Sequence, residues 1–195
     1  EIKVVLHTIG STSIQSGETG FIRVALPDTL PLVPGDRFIL RESGRDETIG
    51  GGEVLDIQPI LRSSKAKPNK DISRLVAERD WVQMEQLRLL AGRNVDISEV
   101  EQVLDGWVTT TINLTEVSKE VSALITASKD VGIDVATLTT HQRLVIPTLT
   151  NANVREGRAR SADANDVASH PIVKLFADAG CMPSDAEQFD KAIIR

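Results

Sequence analysis

The first sixty residues alternate apolar and polar positions with a period of two. Ile22, Val24 and Leu26 interleave with Phe21, Arg23 and Ala25, and Phe38 and Leu40 with Arg37, Ile39 and Arg41. Leu55 and Ile57 alternate with Val54 and Asp56 in the same way, the period of half-buried strands. Pro34-Gly35-Asp36 supplies tight-turn chemistry, and Gly50-Gly51-Gly52 marks a bulge or barrel corner. Short strands with no helical period predict a small antiparallel β-barrel.

After Asn69 the period becomes helical. Met84, Leu87, Leu90 and Ala91 share one helix face, and Ile97, Val100, Val103 and Leu104 predict a second helix beyond Gly92-Arg93-Asn94. Asp96 and Glu99 have capping spacing for that second helix. Gly106 then precedes the β-branched run Trp107 to Ile112, and a longer helix follows from Asn113, with Val117, Val121, Leu124 and Ile125 on one face. Helix, turn, helix and strand in that order predict a winged-helix domain. Farther along, Leu144 and Val145 lie in a short helix ended by Pro147, and residues 153–160 read as a hairpin. Pro171 opens a helix carrying Ile172, Leu175 and Phe176, and Ser184 with Glu187 caps the last one.

Charge divides the chain. Residues 1–60 carry five basic and nine acidic groups, residues 61–70 four basic groups and no acid, and residues 71–195 thirteen basic and nineteen acidic groups. The predicted organisation is therefore a β-barrel over 1–60, a basic linker over 61–70, a winged-helix domain over 71–131 and a second winged-helix unit over 132–195. The chain opens at Glu1 inside a strand-like run and closes at Arg195 inside a helical one, which gives the expectation of a portion of a longer protein. The fold class expected is multidomain, a small antiparallel β-barrel followed by α+β winged-helix domains.

Composition narrows the chemistry. Aromatic residues are 3% of the chain and tyrosine is absent, which argues against binding single strands by base stacking. A net charge of −6 argues against a wholly cationic nucleic-acid binder. The lone Cys181 excludes an internal disulfide framework and has no basic neighbour to activate it. No apolar run reaches the length of a membrane span, and the expectation is a soluble cytoplasmic protein. Gly50-Gly51-Gly52 lacks the lysine of a phosphate loop and is followed by Glu53. His7, His141 and His170 lack metal-ligand spacing, and Asp46/Glu47 and Glu99/Glu101 sit on polar stretches without an apolar shield. Catalytic residues, metal ligands and cofactor-binding residues are therefore expected to be none in this chain. Among basic residues, Arg37 and Arg41 share a strand face, and Arg45 follows in the turn; phosphates or solvent would suit all three. Arg62, Lys65, Lys67 and Lys70 suit a phosphate backbone or a solubilised linker equally well.

The stretch Pro34-Gly35-Asp36-Arg37-Phe38-Ile39-Leu40-Arg41-Glu42-Ser43-Gly44-Arg45, continuing as Thr48-Ile49-Gly50-Gly51-Gly52-Glu53-Val54, resembles the third-domain barrel of translational GTPases of the elongation factor Tu superfamily. Two extra residues, Asp46 and Glu47, lengthen its turn, and in that longer turn and the triple glycine it is similar to the selenocysteine-specific elongation factors. Leu6-His7, Leu30-Pro31-Leu32, Gly132 to Ala136, Arg155 to Arg160 and the run from His170 to Ala192 resemble that family in the same order. The resemblance implies the C-terminal part of a factor that delivers selenocysteinyl-tRNA to the ribosome at recoded UGA codons. It implies tRNA contacts by Arg45, Arg41 and Arg37, and a winged-helix spacer towards an mRNA hairpin that a further terminal domain would bind. It implies GTP and magnesium for the full-length GTP hydrolase, with the GTP-binding domain upstream of Glu1. The alternatives are a winged-helix transcription regulator and a protein-interaction module. The regulator needs a basic recognition helix, yet residues 96–105 hold Asp96, Glu99, Glu101 and Asp105 and no base.

Overall fold

The computed structural model describes residues 1–45, 47–163 and 173. The helices expected after Pro171 and Ser184, with Cys181 and His170, lie outside the described residues. The chain divides into two compact units, Glu1–Thr110 and Thr111–Arg195.

The first unit begins with two antiparallel strand pairs. Strand β1 (Val5–Ile9) pairs with β2 (Phe21–Ala25), and β3 (Arg37–Arg41) with β4 (Thr48–Glu53). Gly35 takes the positive φ of the turn before β3, and Asp36 closes that turn through Val33. The β3–β4 register runs from Arg37 opposite Glu53 to Leu40 opposite Gly50 and then slips, so that Arg41 faces Thr48. That slip places a bulge at the end of the ladder. Two of the three glycines have a packing reason: a Cβ on Gly52 would lie 2.6 Å from Phe38 Cζ, and one on Gly51 would lie 2.8 Å from the Phe38 carbonyl oxygen. The Phe38 ring crosses its partner strand where only glycine leaves room.

Helix α1 (Ile72–Arg79), strand β5 (Trp81–Gln83) and helix α2 (Met84–Ala91) follow. A 3-10 turn (Ile97–Glu99) then leads to β6 (Gln102–Leu104) and β7 (Trp107–Thr109), and the sheet order is β5-β7-β6. Ile72, Leu75 and Val76 of α1 close over Leu87 and Leu90 of α2, with Val82, Val95 and Val108 beneath. Here the structure departs from the sequence expectation, because the predicted helix through Ile97, Val100, Val103 and Leu104 is a single turn followed by a strand. Asp96 and Glu99 do form a reciprocal cap, but Val100 is already extended and Val103 pairs with Val108. Asp105 and Gly106, both at positive φ, make the two-residue turn that joins β6 to β7. At the position of a recognition helix this block therefore has three residues of 3-10 turn.

The second unit starts with helix α3 (Thr111–Ala127) and continues through β8 (Ile133–Asp134), α4 (Thr140–Val145), β9 (Ala152–Arg155) and β10 (Arg158–Ser161). Its sheet order is β8-β10-β9. Thr139 and Gln142 cap α4 reciprocally, and a 3-10 turn containing Pro147 ends it. The expected hairpin over 153–160 is present, closed by Glu156 and Gly157 at positive φ. Val121 and Ile125 of α3 are buried with Leu138, Ile146 and Ala159. The long helix thus belongs to the second unit, whereas the sequence reading grouped it with residues 71–131. Gly132, at φ +71°, has Ala159 O 2.7 Å from where a Cβ would stand.

Candidate nucleic-acid interface

Strand β3 presents Arg37, Ile39 and Arg41 on its exposed face, while Phe38 and Leu40 are half-buried on the other. Ile39 is 73% exposed. The two arginines stand four residues apart on one side of a two-stranded ribbon, as the period of two predicts. Arg37 is opposite Glu53, whose carboxylate is held by Lys70 at 2.5 Å. Arg45 lies in the loop that joins β3 to β4, with its backbone N–H 3.4 Å from Glu42 O and Gly44 beside it at φ +93°. Its guanidinium is 3.6 Å from the Glu42 carboxylate, with side chains 72% and 43% exposed. A pair so open to water contributes little, so a phosphate can replace Glu42 as the partner of Arg45 at small cost. The structure thus carries Arg37 and Arg41 on one strand face and Arg45 on the adjoining loop. Asp46 lies outside the described residues, and Glu47 is exposed.

The other candidates are dispersed. His7 is exposed on β1 opposite Arg23. His141 is on α4, where burial holds its imidazole below the usual histidine range. Among the described residues no three His, Cys, Asp or Glu side chains gather as metal ligands, and no helix is long and apolar enough to cross a membrane. Gly50-Gly51-Gly52 does not fit a nucleotide, since Phe38 fills the space over Gly52 and Glu53 is occupied by Lys70.

Glu99, expected as the capping partner of Asp96, also holds Arg93. Its two carboxylate oxygens accept from Arg93 at 3.0 and 2.6 Å, and Oε1 also accepts the Asp96 backbone N–H at 2.9 Å. These bonds hold the Glu99 carboxyl down at about 2, first through Arg93 and then through the Asp96 backbone. The negative charge is therefore locked onto the short 3-10 turn, an arrangement unsuited to entering a DNA groove.

A group that the sequence reading did not find lies where the barrel block meets α1. Asp56 accepts from Arg74 Nη1 at 3.3 Å and stands 3.8 Å from Arg79 Nη2, and Glu78 accepts from Arg74 at 3.0 Å. These four side chains are only 6–12% exposed. Arg79 also donates to the carbonyls of Gln58 at 2.7 Å and Leu75 at 3.3 Å. The only local hint was the Arg74/Glu78 spacing on one helix face.

Residues 4–61 match the family model for the selenocysteine-specific elongation factor, beta-barrel domain. A selenocysteine-specific elongation factor of Desulfomicrobium baculatum is 28% identical over 109 residues, which make up 54% of this chain and 17% of that factor. A crystal structure of a bacterial selenocysteine-specific elongation factor superposes with a TM-score of 0.58 at 13% identity, covering 85% of this chain and 32% of the other. Small antiparallel sheets followed by blocks of helix and sheet, together with these matches, are consistent with a small antiparallel β-barrel followed by winged-helix domains. The matched region is thus less than a fifth of the curated relative's length.

Proposed function

We propose that this chain, whose residues 4–61 match the barrel-domain model of the selenocysteine-specific elongation factors, is part of such a factor and contributes tRNA contacts and a winged-helix spacer to it. The substrate it helps to hold is selenocysteinyl-tRNA, and the destination is a ribosome paused at a recoded UGA codon. GTP and magnesium belong to a domain outside this chain, and the mRNA hairpin to a surface other than the short turn at Ile97–Glu99. The work is cytoplasmic, as that of a translation factor is.

The observation that carries this reading is the barrel match over 4–61 together with Arg37 and Arg41 exposed on one strand face and Arg45 on its loop. An RNA backbone needs cations in water-accessible positions whose own partners are weakly held, and the Arg45–Glu42 pair meets that need. Arg45→Ala in the full-length product is expected to weaken aminoacyl-tRNA binding by roughly 1–3 kcal/mol, the value of a lost charge-assisted contact. Filter binding at low salt measures it, and unchanged affinity would remove Arg45 from the interface.

A further inference from the structure

We propose that the segment joining the barrel block to the first winged-helix block, residues 61–70, is a second RNA-binding surface, with Arg62, Lys65 and Lys67 holding the phosphate backbone of a double helix. The ten residues carry four cations and no acid in a chain of net charge −6. Arg62, Lys65 and Lys67 are exposed, and their side chains make no hydrogen bond or ion pair among the described residues. Their neighbours behave differently. Lys70 meets Glu53, and Arg74, Arg79, Arg88 and Arg93 each face a carboxylate.

The segment is also fixed in place. Arg23 donates to Leu61 O at 2.5 Å, and the N–H groups of Lys65 and Ala66 both turn back to Arg62 O, at 2.9 and 3.0 Å. At the far end Asn69 Oδ1 accepts from the Asp71 N–H and from Arg74 Nε. Ala66 and Pro68 are half-buried between the exposed cations. Three unpaired charges are thus held in one short stretch before any ligand arrives, which reduces the ordering cost of binding. Without an aromatic ring the segment offers no base stacking, and its lysines and arginine suit phosphates rather than base edges. Its apolar residues are half-buried and leave nothing to insert into a bilayer. Phosphate chemistry alone serves DNA and RNA equally, and the choice of RNA rests on the translation role proposed above.

The test uses the chain in fluorescence anisotropy with a labelled RNA duplex of arbitrary sequence, about 20 base pairs long to exceed the span of a typical duplex-binding module. Binding is followed between about 50 and 200 mM salt. The triple variant Arg62→Ala/Lys65→Ala/Lys67→Ala is expected to bind about tenfold or more weakly at the low end, and to flatten the log K against log salt slope by about 2–3. Arg62→Lys should retain the affinity, since a point charge suffices, and matching circular dichroism shows that the triple variant is folded. A companion variant, Arg37→Ala/Arg41→Ala/Arg45→Ala, separates the two surfaces. If it alone loses affinity while the 62/65/67 variant binds like the parent, the second surface is refuted and the barrel reading stands. If the 62/65/67 variant loses affinity, the second surface stands whatever the barrel variant does. Absence of saturable duplex binding by the parent chain refutes it, as does binding to phosphatidylserine vesicles but not to duplex.

Discussion

Replacing Asp56 with alanine should destabilise the first unit by about 2–4 kcal/mol. The carboxylate stands between two guanidinium groups, 3.3 Å from Arg74 and 3.8 Å from Arg79, and all four charged side chains of the group are at most 12% exposed. Without Asp56, two cations share Glu78 alone in a place that water barely reaches. Removing one member of a buried pair ordinarily costs about 3–5 kcal/mol. The expected range here extends lower because Arg79 keeps the Gln58 and Leu75 carbonyls, and Arg74 keeps Glu78 and Asn69. Urea unfolding followed by tryptophan fluorescence measures the effect locally, since the chain's two tryptophans, Trp81 and Trp107, are both in the β5-β7-β6 sheet. At a slope of about 2 kcal/mol per molar urea, the midpoint should fall by roughly 1–2 M. Asp56→Asn, which keeps an acceptor and loses the charge, should fall between parent and alanine variant. A loss below about 0.5 kcal/mol for Asp56→Ala would refute the reasoning, since it would mean that the group behaves as a water-screened surface cluster.

Two further outcomes follow from backbone and charge geometry. Gly92→Ala should cost about 1–3 kcal/mol, because Gly92 ends α2 at φ +65° and an added Cβ would stand 2.6 Å from Pro34 O; the same fluorescence titration reads it, and an unchanged midpoint would contradict it. The Glu99 carboxyl titrates at about 2 in the folded chain against 4.5 for the free group, so its folded pKa is depressed. The stability it contributes is therefore fully present above about pH 4.5 and lost as the pH falls towards 2. Carboxyl NMR titration checks this directly, and a Glu99 midpoint near 4.5 would show that the Arg93 clamp does not form.

Strands β2 and β3 were legible because period-two alternation acts locally, and for the same reason Arg37 and Arg41 could be assigned to one face from spacing alone; the alternation from Val54 to Ile57 forms no strand, because β4 runs through the glycines and ends at Glu53. The capping pair Asp96/Glu99 was legible too, but not the brevity of what it caps. Val100 and Val103 fit a helical stripe as well as a strand, and the deciding signal was Asp105-Gly106, a two-residue hairpin turn. Helix α3 was visible through Val117, Val121 and Ile125, yet a stripe does not say which core it will join; Leu138 and Ala159 decide that. The Asp56–Arg74 contact spans eighteen residues, and no local period announces a partner so far away. Of the candidate interface, residue types and their strand face came from the sequence, and the weakness of the Arg45–Glu42 pair from the structure.

The joint at Asp56, Arg74, Glu78 and Arg79 has a consequence for length. Ten freely jointed residues would let their ends wander over roughly 16–19 Å. A joint closed by four shielded charges, with Arg23 and Arg79 tethering Leu61 and Gln58 by their carbonyls, turns that wandering tether into a bracket of set dimension. The separation between the cations of β3 and whatever the first winged-helix block touches is then fixed when the chain folds, before any partner arrives. In that sense the first unit works as a gauge.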